Sequence, residues 1–232
     1  MKTMGLIGGM SSESTVTYYR LINEDVKSRL GGHHSAKMVL YNVDFAEIEH
    51  LQQTAQWDRA GKLLADSARL LQTAGAEFIV LCTNTMHKVA TAIESAISIP
   101  LVHIADPTAE AVKAAGIGSV GLLGTRFTME QDFYVGRLRE KFGLNALVPN
   151  AQDRDEVHRV IYQELCAGQV LDRSRQAYLQ IIDRLIAQGA QGIILGCTEI
   201  SMLIGPDDLT VPCFDTTALH AKAAVDLALR QH

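Results

Sequence analysis

The sequence has few of the features that mark several large functional classes. Its 232 residues include only four cysteines and one tryptophan, and no two cysteines have the CxxC spacing. Lysine and arginine number 21 against 26 aspartates and glutamates, without the dense basic stretch that a nucleic acid backbone requires. The longest apolar runs, such as residues 78–82, are far shorter than the roughly 20 residues of a membrane helix. We therefore expect neither nucleic acid nor a membrane as a partner.

The cysteines and the first residues are typical of a cytoplasmic protein. Cys82, Cys166, Cys197 and Cys213 could form two disulfides, but a chain with 47% hydrophobic residues can bury a large core without them. The histidines complete no recognisable zinc pattern with these cysteines, so no metal is expected. The N-terminus has one lysine, a brief apolar run and no recognisable cleavage site. We expect a cytoplasmic location.

Short apolar runs alternate with amphipathic stretches along the chain, a pattern that favours parallel sheets in an α/β fold. The predicted strands are Met4–Ile7, Met38–Asn42, Phe78–Leu81, Leu101–His103, Ser119–Leu123, Ala146–Val148, Gly192–Leu195 and Pro212–Phe214. The predicted helices include Ser14–Leu30, Trp57–Thr73, Pro107–Ala115, Met129–Phe142, Asp153–Ala167 and Arg173–Gln188. The length allows one or two domains.

An internal repeat divides the chain into two halves. The segment GAEFIVLCTNT, residues 75–85, aligns without a gap with GAQGIILGCTE, residues 189–199. Two further pairs match in the same order, GLIGGMSSE with GLLGTRFTM and, loosely, IPLVHIAD with VPCFDTT. Three matched segments predict two similar parallel-sheet α/β domains related by a pseudo-twofold. We assign residues 1–105 with 210–232 to the first domain and residues 106–209 to the second.

The repeat also aligns two polar strand ends. Thr83 and Cys197 occupy the same position in the two copies, and Cys82 opposes Gly196. Neighbouring strand residues point to opposite faces, so Cys82 should face the core. Ligands of open α/β sheets bind beyond the carboxyl ends of the strands, so we expect one cleft between the halves and proton chemistry on a small molecule. The expected cleft residues are Met10, Ser11, Thr83, Asn84, Thr85, Thr125, Cys197, Thr198 and Glu199.

Simpler interpretations exist for each of these features. A cysteine after a buried strand is often a small core residue. Residues 83–85 can cap the next helix, which is compatible with ligand binding. The glycines of GLIGG do not have the GxGxxG spacing, so nucleotide binding is disfavoured.

Five motifs together carry a family resemblance: GLIGGMSSEST, CTNTMH, LLGTRFTM, GCTEI and FDTTALHA. Over essentially its whole length the chain resembles the cofactor-independent aspartate/glutamate/hydantoin racemases, most closely the aspartate/glutamate branch. The resemblance implies two α/β domains with the active site between them, no pyridoxal phosphate, no metal and often a homodimer. It also implies an amino-acid substrate flanked by one cysteine from each half, one removing the α-proton and the other returning a proton to the opposite face.

The chain departs from this family at the first cysteine. The family motif commonly reads Cys-Asn-Thr, whereas Thr83 precedes Asn84 here. A free thiol has a pKa of about 8.5, which a helix N-terminus can lower. Cys197 is therefore the predicted base, with Thr198 and Glu199 beside it and the following helix end favouring its thiolate. Thr83 would donate a proton, directly or through water, or orient the substrate.

The resemblance implies aspartate or glutamate as substrate. Since the second-half cysteine of the family acts on the L-isomer, we expect a preference for L-amino acids. The segment EIEHLQ supplies Gln52 as a candidate contact for the substrate side chain. Relatives often have lysine in YEELKxG, where this chain reads YQELCAG with Cys166, which weakens the case for a strictly acidic substrate. The residues expected to bind substrate are Met10 and Ser11 through their backbone, Gln52, Asn84, Thr85, Thr125, Thr198 and Glu199.

Three other functions stay open at this point. A single effective cysteine also suits arylmalonate-decarboxylase or maleate-isomerase-like members of the superfamily. A non-catalytic binding protein would have an inert Cys197, whereas an enzyme would have a reactive one. A nucleotide-dependent oxidoreductase would have to bind a nicotinamide cofactor.

Overall fold

The structure is a computed structural model that describes residues 1–230, and it contains two four-stranded parallel sheets. Contacts divide the chain into two units. Unit 1 comprises Met1–Ile104 together with the chain from His220 onward, and unit 2 comprises Ala105–Leu219. None of the helices within residues 1–230 is long and apolar enough to cross a membrane.

Unit 1 contains the first sheet, with strand order β2-β1-β3-β4. Its strands are β1 (Met4–Gly8), β2 (Met38–Asn42), β3 (Phe78–Leu81) and β4 (Leu101–Val102). Its helices are α1 (Ser12–Leu30), α2 (Phe45–Gln53), α3 (Trp57–Thr73), a short 3-10 helix (Thr85–Val89) and α4 (Ala90–Glu94). Alternate residues of β3 enter two different cores: Ile79 and Leu81 pack in one cluster, Phe78 and Val80 in the other.

Unit 2 contains the second sheet, in which the strand order β6-β5-β7-β8 repeats that of the first. Its strands are β5 (Ser119–Gly124), β6 (Asn145–Leu147), β7 (Ile193–Gly196) and β8 (Cys213–Asp215). Its α-helices are α5 (Ala105–Ala114), α6 (Arg126–Glu130), α7 (Asp132–Phe142), α8 (Ala151–Gln163) and α9 (Asp172–Ala187). Short 3-10 helices span Leu165–Ala167, Ile200–Met202 and Pro206–Asp208, and α10 (Thr216–Leu229) begins here and continues into unit 1.

The repeat predicted from the sequence extends to the packing of single residues. Gly5 pairs with Ile79 in the first sheet, and Gly121 pairs with Ile193 in the second. A Cβ added to Gly5 would lie 2.9 Å from the Ile79 Cδ1 atom, and one added to Gly121 would lie 2.7 Å from the Ile193 Cδ1 atom. Both central strands therefore need glycine because an isoleucine of the neighbouring strand fills the space.

The division of the chain differs from the predicted one near the C-terminus. The predicted boundary at 209/210 placed β8 in the first domain, whereas β8 pairs in parallel with β7 and belongs to unit 2. The repeat accounts for this, since it matches residues 211–217 to the segment that contains β4. The chain returns to unit 1 later, within α10, whose Ala221, Ala224 and Val225 pack in the core of unit 1. Residues 231 and 232, which the predicted first domain includes, lie outside the described residues.

Several element boundaries also differ from the predicted ones. The predicted helix 129–142 is two helices, because Gln131 adopts an extended conformation between α6 and α7. The predicted helix 153–167 ends at Gln163. There Glu164 leaves helical geometry, and its buried carboxylate accepts hydrogen bonds from Arg159 and Ser174. The predicted helices did not include α2, α4 or α10.

Candidate active site

Thr83 and Cys197 occupy equivalent positions in the two sheets. Each lies four residues beyond the isoleucine that pairs with Gly5 or Gly121. Cys197 follows β7 directly, whereas Cys82 lies between the end of β3 and Thr83. Both side chains are largely buried, with exposed fractions of 7% for Thr83 and 8% for Cys197. The strand register thus gives the same alignment as the sequence repeat.

Cys82 is a core residue of unit 1. It is fully buried in the cluster that also contains Phe78 and Val80. Burial raises the pKa of its thiol far above the usual range. A thiol in this environment is chemically inert, in agreement with the strand alternation that separates Cys82 from Thr83.

Cys197 lies against a buried carboxylate. Its Sγ atom donates a hydrogen bond to Glu199 Oε2 at 3.0 Å. The Thr198 hydroxyl donates to the same oxygen at 2.6 Å. All three side chains are buried in unit 2. The Glu199 Oε2 atom therefore accepts two hydrogen bonds at the end of β7, one from the Cys197 thiol and one from the Thr198 hydroxyl.

The protonation of Cys197 differs from the predicted one. Burial raises the pKa of its thiol well above the usual value, and the negative charge of Glu199, the proximity of Cys166 and the hydrogen bond to Glu199 raise it further. The backbone N–H of Glu199 acts in the opposite direction. The expected helix end is only the three-residue 3-10 helix Ile200–Met202. Burial, the largest of these effects, and the Glu199 carboxylate therefore both favour the neutral thiol of Cys197.

The predicted residues that follow β1 and β5 begin helices. Ser11 caps α1, where its Oγ atom accepts a hydrogen bond from the Ser14 N–H. Thr125 caps α6 in the same way, through the Thr128 N–H. Met10 is buried beside Ser11. These caps stabilise the turns that bring Ser11 and Thr125 to the carboxyl ends of their strands.

Gln52 joins the polar residues of unit 1 from a helix. It is buried on α2, and its Nε2 atom lies 3.0 Å from the Sδ atom of Met86. Met86 belongs to the 3-10 helix Thr85–Val89 that follows Asn84. The amide group of Gln52 therefore lies near the segment after β3.

Cys166 is partly exposed in the 3-10 helix Leu165–Ala167, and it packs against the hydrophobic cluster of unit 2 that includes Cys197. Among residues 1–230, no group of three or more His, Cys, Asp or Glu side chains is arranged to hold a metal ion.

The structure groups most of the predicted site residues within their own units. In unit 1, Met10, Ser11 and residues 83–85 follow the adjacent strands β1 and β3. In unit 2, Thr125 and residues 197–199 follow the adjacent strands β5 and β7. The sequence placed Glu199 beside Cys197, and the structure adds the hydrogen bond that joins the thiol to the carboxylate.

Two parallel sheets of identical strand order, each ending in a buried polar segment, define a duplicated α/β enzyme fold. Comparison with known proteins makes the assignment more specific. The family model for Asp/Glu/hydantoin racemases matches residues 7–224, and the chain belongs to this family. It is therefore an isomerase of this racemase family.

Three similar proteins illustrate the relationship. The broad specificity amino-acid racemase RacX of Bacillus subtilis is 24% identical over 97% of this chain and 98% of its own length. The crystal structure of a candidate Asp/Glu racemase from Yersinia pestis is 58% identical, with a TM-score of 0.93 over 99% of this chain and 100% of the other. An aspartate racemase homologue from Pyrococcus horikoshii OT3 is 33% identical, with a TM-score of 0.86 over 99% and 100% of the two chains.

Proposed function

We propose that the protein racemises aspartate or glutamate without a cofactor, acting preferentially on the L-isomer. The observation that carries this proposal is the equivalence of Thr83 and Cys197 in two sheets of the same topology. A racemase needs one group that removes the α-proton and a second that returns a proton to the opposite face. The two equivalent strand ends supply a thiol and a hydroxyl for these two roles.

Glu199 makes Cys197 a base in this proposal. The thiol holds its proton at rest and already donates it to Glu199 Oε2 over 3.0 Å. Transfer of that proton to the carboxylate leaves a thiolate and a neutral carboxyl group. The thiolate sulfur then takes the α-proton, so that the Cα–H bond breaks, an S–H bond forms and the electron pair stays on the substrate. Glu199 later releases its proton to solvent.

Thr83 completes the reaction from the other face. Its hydroxyl gives a proton to the carbanion, directly or through water, and recovers one from solvent. A threonine hydroxyl does not readily ionise near neutral pH, so it cannot remove an α-proton as a thiolate can. The two directions of the reaction are therefore unequal. L-amino acids, which present the α-proton to Cys197, are turned over faster than D-amino acids.

The remaining polar residues at the strand ends would hold the substrate. The backbone of Met10 and Ser11 would bind its α-carboxylate or ammonium together with Asn84, Thr85, Thr125 and Thr198. Gln52 would contact the substrate side chain. An amide at this position can bind a carboxylate or an amide, so turnover of neutral amino acids of similar length belongs in the substrate test.

The deciding experiment follows the α-proton. Purified protein is incubated with L-aspartate or L-glutamate in D₂O without added cofactor, and proton NMR records the α-proton signal while a chiral assay records the D-isomer. Cys197→Ser should abolish exchange. Cys213→Ser is the matched control, because Cys213 lies in β8, outside the thiol–carboxylate pair. Exchange that survives in Cys197→Ser, or no exchange with any amino acid, would refute the proposal.

We also propose that the protein is a cytoplasmic homodimer. Val16 and Tyr19 are 65% and 56% exposed within one turn of α1, and exposed apolar residues of this kind favour an interface. Light scattering of the purified protein would give the mass, and a monomer at micromolar concentration would contradict the dimer.

A further inference from the structure

A buried imidazole connects the ends of two strands in unit 1. The Nδ1 atom of His87 lies 2.8 Å from the backbone oxygen of Thr83, and its Nε2 atom lies 3.2 Å from the backbone nitrogen of Ile104. Thr83 follows β3 and Ile104 follows β4. The ring of His87 therefore links the segment that carries Thr83 to the neighbouring strand end.

These two contacts determine the tautomer of His87. A carbonyl oxygen only accepts hydrogen bonds, so Nδ1 must carry the proton that it shares with Thr83. A backbone N–H only donates, so Nε2 must be the acceptor for Ile104. The imidazole is neutral, and its two ring nitrogens contact two different backbone groups.

The local backbone leaves the Thr83 carbonyl available to this ring. In an α-helix the N–H of residue 87 would bond the carbonyl of residue 83. Here the His87 N–H bonds the carbonyl of Asn84 at 3.1 Å, because the segment is a 3-10 helix. The side chain of the same residue then bonds the Thr83 carbonyl.

A second imidazole, that of His220, contacts the neighbouring strand β4. The Nε2 atom of His220 lies 2.8 Å from the backbone oxygen of Val102, and its Nδ1 atom lies 2.8 Å from the Tyr18 hydroxyl. The rings of His87 and His220 are 5.9 Å apart. His220 is thus a buried histidine near His87, and it holds β4, whereas His87 holds the segment after β3.

The equivalent position in unit 2 is different. By the repeat, His87 corresponds to Ser201, whose hydroxyl donates to the backbone oxygen of Thr198 at 3.1 Å. The carbonyl of Cys197 accepts the Ile200 N–H instead. An imidazole therefore holds the backbone carbonyl of Thr83 but not that of Cys197. Of these two side chains, the Thr83 hydroxyl is a weaker acid than the Cys197 thiol.

We propose that His87 is a positioning residue for Thr83, holding the peptide group after Thr83 so that the hydroxyl can return a proton to the substrate. This inference rests on the proposed function, because it assigns Thr83 the protonating face. Loss of the brace should impair inversion while leaving the removal of the α-proton by Cys197 in place.

Two substitutions separate the two hydrogen bonds of His87. The amide nitrogen in His87→Asn falls near the position of Nδ1 and can still donate to the Thr83 carbonyl. The amide oxygen in His87→Gln falls near Nε2 and can still accept from Ile104, but the donor to Thr83 is lost. His220→Gln is the control, because it changes a neighbouring buried histidine whose ring nitrogens contact Val102 and Tyr18.

The first readout is the ratio of D-isomer formed to α-deuterium incorporated from L-aspartate in D₂O, which does not depend on the folded fraction. We expect about a tenfold fall in this ratio for His87→Gln, as for loss of one buried hydrogen bond. The ratio should stay near the wild-type value in His87→Asn and His220→Gln. Equal ratios in His87→Gln and His87→Asn would overturn the proposal.

The second readout needs no turnover and separates this inference from the proposed function. The ¹³C chemical shift of the Thr83 carbonyl should change in His87→Gln and be largely retained in His87→Asn. If wild-type protein exchanges no α-proton, the proposed function fails, and the carbonyl shift still decides whether His87 holds Thr83. An unchanged Thr83 carbonyl shift in His87→Gln would overturn the bracing.

Discussion

Replacing Glu199 by glutamine should make Cys197 more reactive towards alkylating agents although it should make the enzyme slower. The carboxylate lies 3.0 Å from the Cys197 sulfur and raises the pKa of the thiol through its charge and its hydrogen bond. Two unit charges at that distance repel by about 1.4 kcal/mol even with the dielectric constant of bulk water. Removing the charge therefore enlarges the thiolate population near neutral pH by about tenfold or more.

The assay is the rate of alkylation of Cys197 by iodoacetamide at about pH 7.5, measured by mass spectrometry of the peptide that contains it. Cys213 is an internal control in the same molecule, because burial, Asp215 and Asp208 raise its pKa to about 11 and Glu199 takes no part. The Cys197 rate should rise at least tenfold in Glu199→Gln, and the Cys213 rate should not change.

Catalysis should respond in the opposite direction. Without a carboxylate to accept the thiol proton, α-proton exchange from L-aspartate should slow, and it should recover as the pH rises towards the thiol pKa. An alkylation rate of Cys197 that stays the same or falls in Glu199→Gln would refute the electrostatic role of Glu199. Faster alkylation of Cys197 together with unchanged α-proton exchange would refute the role of Glu199 as proton acceptor. The electrostatic role of Glu199 would then stand.

Three further predictions concern other parts of the molecule. Thr83→Cys should give faster exchange of the D-aspartate α-proton in D₂O, since it places a thiol at the position equivalent to Cys197, and no gain would contradict that equivalence. Gly121→Ala should lower the free energy of unfolding in urea by about 1–3 kcal/mol, because its Cβ would meet the neighbouring strand, whereas Gly118→Ala, with no atom within 4 Å, should change little. Asp106→Asn should cost about 1 kcal/mol of that free energy at pH 7, because burial raises the pKa of the Asp106 carboxyl but the hydrogen bonds and charges of Arg137 and Lys141 outweigh it and lower the pKa below its ordinary value. That contribution is present above the unfolded pKa and is lost as the pH falls through the folded one, so an effect that does not shrink as the pH is lowered below the unfolded pKa would contradict it.

The repeat and the alternation of strands and helices are properties of the sequence alone. Short apolar runs that end in glycine or small polar residues predict buried parallel strands because the side-chain pattern of a strand depends on local periodicity. The alignment of Thr83 with Cys197 was available for the same reason, and the strand register gives the same alignment. The assignment of Cys82 to the core followed from the alternation of side chains along β3.

Tertiary structure decided the features that depend on residues distant in the chain or on local electrostatics. The place of β8 depends on its pairing with β7. The point within α10 at which the chain passes from unit 2 to unit 1 depends on which core the alanines of α10 fill. Short segments such as Cys213–Asp215 have too few residues for their composition to indicate a partner strand. The domain boundary was therefore misplaced although the repeat itself was visible.

The protonation of Cys197 is the clearest case at the site. Sequence reasoning set a thiol near a helix end and predicted a thiolate, because a helix N-terminus directly after a cysteine favours its charged form. The burial of the thiol, the direction of the Glu199 side chain and the shortness of the following helix reverse the prediction. Residue identity determined which groups could carry out the chemistry, while burial and side-chain direction determined which of them holds the proton.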